Sequence, residues 1–192
     1  MTTLWDAALG ALGGRLGEAG LRHSLGVAQS AGELAEAYGV DRDEARLAGL
    51  LHDWSKDASN EELLSAAVDL GIPVTEVDLA VPYLLHAPVA AAEIRLALPE
   101  VSEEVAAAIA AHTYGVVPMQ PLDMIVYVAD TIEPGRAHEG VEALREAVGQ
   151  VPLVELFTRA YASSLRHLVE TRRRIHPGTI DMWNRLVSGD AR

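Results

Sequence analysis

Residues 122–132 constrain the fold most, because they are hydrophobic on nearly every side of a helix. A helix of this kind is stable only when other elements cover it, so the segment predicts a central, buried helix. Asp130 lies near the end of the segment. Burying an ionised carboxylate without a partner costs several kcal/mol or more, so we expect Asp130 to interact strongly with another group in the core.

Helix start and stop signals recur along the rest of the chain, and no segment shows a convincing alternating strand pattern. We predict helices over residues 3–18, 21–38 and 152–175, and a final helix that Thr179 caps. Because no linker-like stretch divides the chain, we expect residues 1–192 to form one all-α domain. The core motifs would occupy residues 21–136, and helices within residues 137–188 would pack against them.

The composition excludes several classes of function. The chain has no cysteine, so any metal ion must be held by imidazole and carboxylate groups. A formal net charge of -13 argues against a nucleic-acid surface. No hydrophobic run approaches the roughly 20 residues that a membrane span needs, and the amino terminus lacks a signal-peptide pattern. We therefore expect a cytoplasmic protein that binds neither nucleic acid nor membrane.

One short stretch combines an adjacent histidine and aspartate with the single lysine of the chain. His52 and Asp53 are flanked by leucines and Trp54, and Lys56 follows closely. The apolar neighbours favour burial of the pair, and a divalent cation would compensate for the buried charge. The alternative is an ordinary helix end with a hydrogen-bonded histidine.

Six residues in apolar helical contexts form the candidate metal site: His23, His52, Asp53, His86, His112 and Asp130. Each histidine alone is more often an ordinary polar residue than a ligand. Together they suit the core of a helical bundle, where side chains from several helices converge on metal ions. Mixed nitrogen and oxygen donors favour iron, manganese or another borderline divalent ion over calcium or magnesium.

The order of these residues resembles that of the HD-domain phosphohydrolases, and the two histidines between the His-Asp pair and the last aspartate resemble the dinuclear branch. The closer resemblance is to the YqeK-type HD hydrolases, the symmetrical bis(5'-nucleosyl)-tetraphosphatases of bacteria. The matching motifs are residues 22–24, 49–56, 85–88, 111–113, 127–130, 132–136, 175–179 and 183–184. Trp54 and Tyr114 are bulkier than the residues that this family pattern leads us to expect.

The resemblance implies an HD-domain helical bundle with two divalent metal ions in its core, iron being expected and manganese or another transition metal being the alternative. Asp53 would bridge the ions, with His23, His52 and Asp130 completing one site and His86 and His112 the other. Asp53 and Lys56 would be the catalytic residues. Lys56, Thr113, Arg136 and His86 would contact the substrate.

The implied reaction is attack of a metal-bound hydroxide on a central phosphorus of diadenosine tetraphosphate, which gives two molecules of ADP. An HD-domain phosphatase for nucleotides or alarmones is a second interpretation, and a non-catalytic, nucleotide-sensing metal protein is a third. The expected partner is a dinucleoside polyphosphate or a nucleotide, and a homodimer is left open. His138, His167 and His176 fall outside the ligand order.

Overall fold

The computed structural model describes residues 3–188, which contain helices and no strand. The α-helices are α1 (Leu4–Leu12), α2 (Glu18–Tyr38), α3 (Arg42–Leu51), α4 (Asn60–Asp69), α5 (Glu76–Ala80), α6 (His86–Ala97), α7 (Glu103–Ala111), α8 (Pro121–Ile132), α9 (Val141–Ala147), α10 (Leu153–Glu170) and α11 (Pro177–Val187). A short 3₁₀ helix, Pro82–Leu85, leads directly into α6. The all-α prediction is confirmed. None of the described helices combines the length and apolar character needed to cross a membrane.

Helix α8 is the central element, as the hydrophobic run over residues 122–132 predicts. It packs against α2, α3, α7, α9 and α10, and most of its side chains are buried. On one side Tyr127 packs against Phe157 and Tyr161 of α10, with both ring-centroid distances at 5.2 Å. This aromatic contact attaches the carboxyl-terminal helices to the centre. The assignment of residues 1–192 to one domain stays a prediction.

Helices α2 and α3 pack unusually closely, and a glycine permits it. A Cβ atom added to Gly49 would lie 2.9 Å from the Cα atom of Ala28, which is closer than two such carbons can approach. The backbones of the two helices therefore touch at this point. This contact brings His23 of α2 near His52, which caps the carboxyl end of α3, with their rings 5.2 Å apart.

Besides the start of α2, which lies at Glu18 rather than at residue 21, three predicted helix ends are wrong. The helix predicted over residues 3–18 ends at Leu12, because Gly13 and Gly14 are poor helix formers and a turn follows them. The helix predicted over residues 152–175 ends at Glu170, and Arg172 then adopts a left-handed conformation with φ of 54°.

The third error concerns the cap of α11. The helix begins at Pro177, two residues before Thr179, and His176 caps it by accepting the Gly178 N–H at Nδ1. Proline suits the first helical position because its missing N–H would have no partner there. Thr179 instead lies buried inside the helix.

Candidate metal centre

The structure brings together all six residues that the sequence singles out as metal ligands. His23 comes from α2, His52 and Asp53 from the end of α3 and the turn after it, His86 from the first turn of α6, His112 from the cap of α7 and Asp130 from α8. His52, Asp53, His86 and His112 are buried, whereas His23 and Asp130 are partly exposed. The cluster therefore lies at the inner end of an opening to solvent.

Asp53 lies between two pairs of histidines. Its Oδ2 atom lies 3.5 Å from His23 Nε2 and 3.2 Å from His52 Nε2. Its Oδ1 atom lies 3.4 Å from His86 Nε2 and 3.8 Å from His112 Nε2. Each oxygen of one carboxylate thus faces its own pair of imidazole nitrogens, as a carboxylate that bridges two cations would.

Asp130 belongs to one side of this arrangement. Its Oδ1 atom lies 3.0 Å from His23 Nε2 and 3.9 Å from His52 Nε2. The donor atoms of His23, His52 and Asp130 lie within 4.8 Å of one another, as a shared metal ion requires. A second such group consists of His52, Asp53 and His112.

All four histidines point the same ring nitrogen inward, because each Nδ1 faces an acceptor outside the centre. The acceptors are the Gly49 carbonyl for His52 at 2.8 Å, the Tyr83 carbonyl for His86 at 2.7 Å, the Ile109 carbonyl for His112 at 2.7 Å and the Glu133 carboxylate for His23 at 3.1 Å. A carbonyl or carboxylate can only accept, so Nδ1 carries the proton and Nε2 presents a lone pair to the centre. Orientation of this kind is typical of metal-ligating histidine.

Several of the inward-facing atoms are acceptors that lack a donor, and this fits a cation. His86 Nε2 and His112 Nε2 lie only 3.1 Å apart with a lone pair on each. His23 Nε2, His52 Nε2 and Asp53 Oδ1 are buried and have no hydrogen-bond partner. Such groups are costly to bury unless they are paired or coordinate a metal. The nitrogen and oxygen donors suit a borderline divalent transition metal.

The charge states also fit metal binding. Burial lowers the pKa of His112 from 6.5 to about 3, so the imidazole is neutral and can act as a ligand at physiological pH. Burial opposes ionisation of Asp53, but the neighbouring His52 holds the pKa of that carboxyl well below its usual value. Two ionised carboxylates, Asp53 and Asp130, therefore face the neutral imidazole of His112. Burial opposes the charged form of His52, but Asp53 raises the pKa of this histidine, so a bound cation would replace a proton there.

Two cations border the cluster, and each already binds one of its carboxylates. Lys56 Nζ lies 2.5 Å from Asp53 Oδ2, and although burial opposes the charged form, Asp53 raises the pKa of the ammonium group. Arg136 donates from Nε to the Asp130 carbonyl at 2.8 Å and from Nη2 to Asp130 Oδ1 at 2.5 Å. Arg136 thus fixes the orientation of a candidate ligand.

The opening leads into a cavity of about 390 Å³ next to the cluster. Its lining consists of Gly20, His23, Asp53, Lys56, Asp57, Tyr83 and Arg136. Of the four predicted substrate contacts, Lys56 and Arg136 line the cavity, whereas His86 and Thr113 do not. The Thr113 hydroxyl oxygen is buried without a hydrogen-bond partner. Contact between substrate and any of the four stays a prediction.

Sequence reasoning missed three residues that support or border the centre. Glu133 orients His23, yet in the sequence it is only a residue at a helix break. Glu93 accepts hydrogen bonds at Oε2 from Arg15 Nη1 at 2.7 Å, Trp54 Nε1 at 3.1 Å and Ser55 Oγ at 3.1 Å. Tyr83 lines the cavity. Glu133 follows Asp130 closely in the sequence, and this spacing could have indicated that it lies near the cluster. No local sequence pattern indicates a role for Glu93 or Tyr83.

The three remaining histidines lie away from the ligand cluster. His176 stacks on Tyr114 with ring centroids 4.0 Å apart and an interplanar angle of 22°. His138 Nε2 lies 2.9 Å from the Thr131 carbonyl, and His167 lies near the exposed carboxyl end of α10. The contact of His138 attaches the loop after α8 to that helix, and the contact of His176 joins the start of α11 to the turn after α7.

The comparisons with known proteins agree with this geometry. Residues 20–135 match the model of the HD domain. The symmetrical bis(5'-nucleosyl)-tetraphosphatase of Bacillus subtilis is 33% identical to this chain, and the match covers 87% of this chain and 89% of that protein. The symmetrical bis(5'-nucleosyl)-tetraphosphatase of Staphylococcus aureus is 32% identical, and the match covers 93% of this chain and 92% of that protein. A crystal structure from Clostridium acetobutylicum, described as a predicted HD superfamily hydrolase involved in NAD metabolism, superposes with a TM-score of 0.90 at 33% identity, covering 96% of this chain and 97% of that one. The chain therefore belongs to the HD-domain family, in the group that contains these symmetrical bis(5'-nucleosyl)-tetraphosphatases.

Proposed function

We propose that this protein is a metal-dependent hydrolase that cleaves diadenosine tetraphosphate symmetrically, so that one water and one substrate give two molecules of ADP. The observation that carries the proposal is the position of Asp53. Its two oxygens face two pairs of imidazole nitrogens, and Lys56 reaches the same carboxylate from the open cavity. The names of the Bacillus and Staphylococcus relatives supply the substrate class.

The proposed cofactor is a pair of divalent metal ions held by the six clustered residues. His23, His52 and Asp130 would hold one ion, His86 and His112 the other, and Asp53 would contribute one oxygen to each. We expect iron, with manganese or another transition metal as the alternative. When bound, two such ions lower the pKa of water and stabilise negative charge on a phosphoryl group.

Neighbouring groups hold the candidate metal ligands in place. The hydrogen bond at Nδ1 of each of the four histidines keeps its Nε2 atom aimed at the centre, and Arg136 keeps Asp130 in position. Lys56 lies where its ammonium group can contact a phosphate oxygen and neutralise charge that develops during cleavage. Asp53 and Lys56 are accordingly the proposed catalytic residues.

Water is the proposed nucleophile, because two divalent ions would lower the pKa of a bound water and no protein nucleophile is then required. His86 and Thr113 stay predictions as substrate contacts. The cytoplasmic location and the homodimer considered from the sequence also stay predictions.

Product analysis tests the proposal. Purified protein of known metal content is incubated with diadenosine tetraphosphate, and the nucleotides are separated by chromatography. We expect ADP as the single product, loss of turnover after chelation, and recovery with iron or manganese. ATP with AMP would contradict symmetrical cleavage, and inorganic phosphate would indicate a nucleotide phosphatase. No turnover with metal bound would favour the sensing role.

A further inference from the structure

Tyr83 lies at the open face of the metal centre, and the ligand set gives it no role. It belongs to the 3₁₀ helix immediately before His86, and 43% of its surface is exposed. It lines the same cavity as Lys56 and Arg136. A large side chain at this position reaches whatever occupies the cavity.

Two contacts with His86 hold Tyr83 in place. The Tyr83 carbonyl accepts the His86 Nδ1–H at 2.7 Å, which fixes the backbone. The tyrosine ring packs on the imidazole with centroids 4.7 Å apart and an interplanar angle of 38°. Because one face of the ring is occupied in this way, the hydroxyl group at its tip is the part most available to a ligand.

Lys56 lines the same cavity, and its ammonium group interacts electrostatically with the Tyr83 phenol. An ammonium group can only donate, so toward Lys56 the phenol oxygen can act only as an acceptor. The phenol O–H is then free to donate to a third group. A polyphosphate presents acceptor oxygens only, so both Lys56 and Tyr83 can donate to it.

We propose that the Tyr83 hydroxyl donates a hydrogen bond to a phosphate oxygen of the substrate, so that Tyr83 and Lys56 together bind the polyphosphate at the cavity side of the centre. This inference rests on the proposed function, because it requires a phosphorylated substrate. Tyr83 is thus a further substrate-binding residue. Its ring positions the hydroxyl, and the hydroxyl makes the contact.

Tyr83→Phe tests the proposal, because it removes the hydroxyl and keeps the ring against His86. The matched control is Tyr38→Phe, which removes a hydroxyl that accepts the Gly149 N–H at 3.0 Å. Tyr38 is the last residue of α2, whereas the cavity residues Gly20 and His23 lie near the start of that helix. We measure kcat/KM for diadenosine tetraphosphate, the metal content and, by calorimetry, the binding of ADP to the metal-loaded protein. A lost hydrogen bond to a charged group predicts values of kcat/KM and ADP affinity lower by roughly 10-fold.

We expect Tyr83→Phe to lose this factor in both kcat/KM and ADP affinity while its metal content stays unchanged. Tyr38→Phe should match the wild type in all three measurements. Wild-type values in Tyr83→Phe would overturn the proposal, as would equal losses in both variants or loss of metal from Tyr83→Phe. If the wild-type protein does not convert diadenosine tetraphosphate to ADP, the proposed function fails. In that case the ADP-binding measurement still tests the proposed hydrogen bond from Tyr83. Weaker ADP binding in Tyr83→Phe than in the wild type would support the hydrogen bond, and unchanged binding would refute it.

Discussion

Glu133 Oε1 lies 3.1 Å from His23 Nδ1, on the side of the ring that faces away from the metal centre. The other oxygen of Glu133 accepts the Gly135 N–H at 2.6 Å, which holds the carboxylate still. A carboxylate in this position fixes the ring orientation of a metal-ligating histidine and increases its basicity. Among the four histidines of the centre, His23 is the one oriented by a charged side chain.

Glu133→Gln is therefore expected to weaken metal binding. A neutral amide supports the His23 imidazole less well than a carboxylate, and loss of such an outer partner typically costs 10- to 100-fold in metal affinity. Titration of the metal-free protein with Mn²⁺ measures the change. Glu155→Gln, on the exposed face of α10, is the control and should leave affinity unchanged. Equal affinities in Glu133→Gln and wild type would contradict this role.

Lys56→Met separates catalysis from metal binding. Removing a cation that lies 2.5 Å from Asp53 Oδ2 lowers the repulsion that a metal ion meets, so Mn²⁺ affinity should stay the same or increase. Turnover should fall on the order of 100-fold, because charge on the phosphate is no longer neutralised. Arg42→Met removes one surface cation as a control. Turnover of Lys56→Met within a factor of two of wild type would make Lys56 a bystander.

Gly49→Ala tests the close contact between α2 and α3. The added methyl group would meet the Ala28 backbone at 2.9 Å, so the helices must separate, at a cost of about 1–3 kcal/mol in the free energy of unfolding. Gly10→Ala is the matched control in α1, where an added Cβ meets nothing within 4 Å. There alanine should stabilise by up to about 1 kcal/mol. Urea unfolding of the metal-free proteins measures both, and shifts of the same sign would refute the argument.

Glu93→Ala tests the support beneath the His-Asp turn. It leaves the Trp54 indole N–H, the Ser55 hydroxyl and one Arg15 donor without their shared acceptor. We expect a loss of about 1–3 kcal/mol in the free energy of unfolding, measured with urea. Glu100→Ala, at an exposed position, should change it little. The support role is refuted if the two variants unfold at the same urea concentration.

The metal centre could be anticipated because its members carry their signal locally. His52, His112 and Asp130 each interrupt an apolar helical stretch, and a polar residue in such a place calls for a partner. The convergence of these helices depends on packing between distant segments. The sequence shows which face of each helix is hydrophobic, but it does not show which faces pack together. The family resemblance supplied the pairing of ligands that residue patterns alone left open.

The residues that were missed depend on tertiary contacts. Glu93 meets Trp54 and Ser55 across roughly forty positions of sequence, and no local pattern marks such a contact. The structure places the Arg136 guanidinium group on Asp130, because the chain turns back after α8, and this bond has no local signal in the sequence either; the contact of Arg136 with substrate stays a prediction. The start of α11 was predicted wrongly for a related reason. Threonine is the more common N-cap residue, but here His176 caps the helix and Thr179 lies inside it.

Stepwise return of metal to the metal-free protein tests the central claim most directly. Mn²⁺ is added in known ratios to the chain, and bound metal and ADP formation from diadenosine tetraphosphate are measured on the same samples. The account predicts that the protein binds two ions per chain and that ADP formation requires both. A full rate with one ion bound, or ADP formation with chelator in excess, would contradict it.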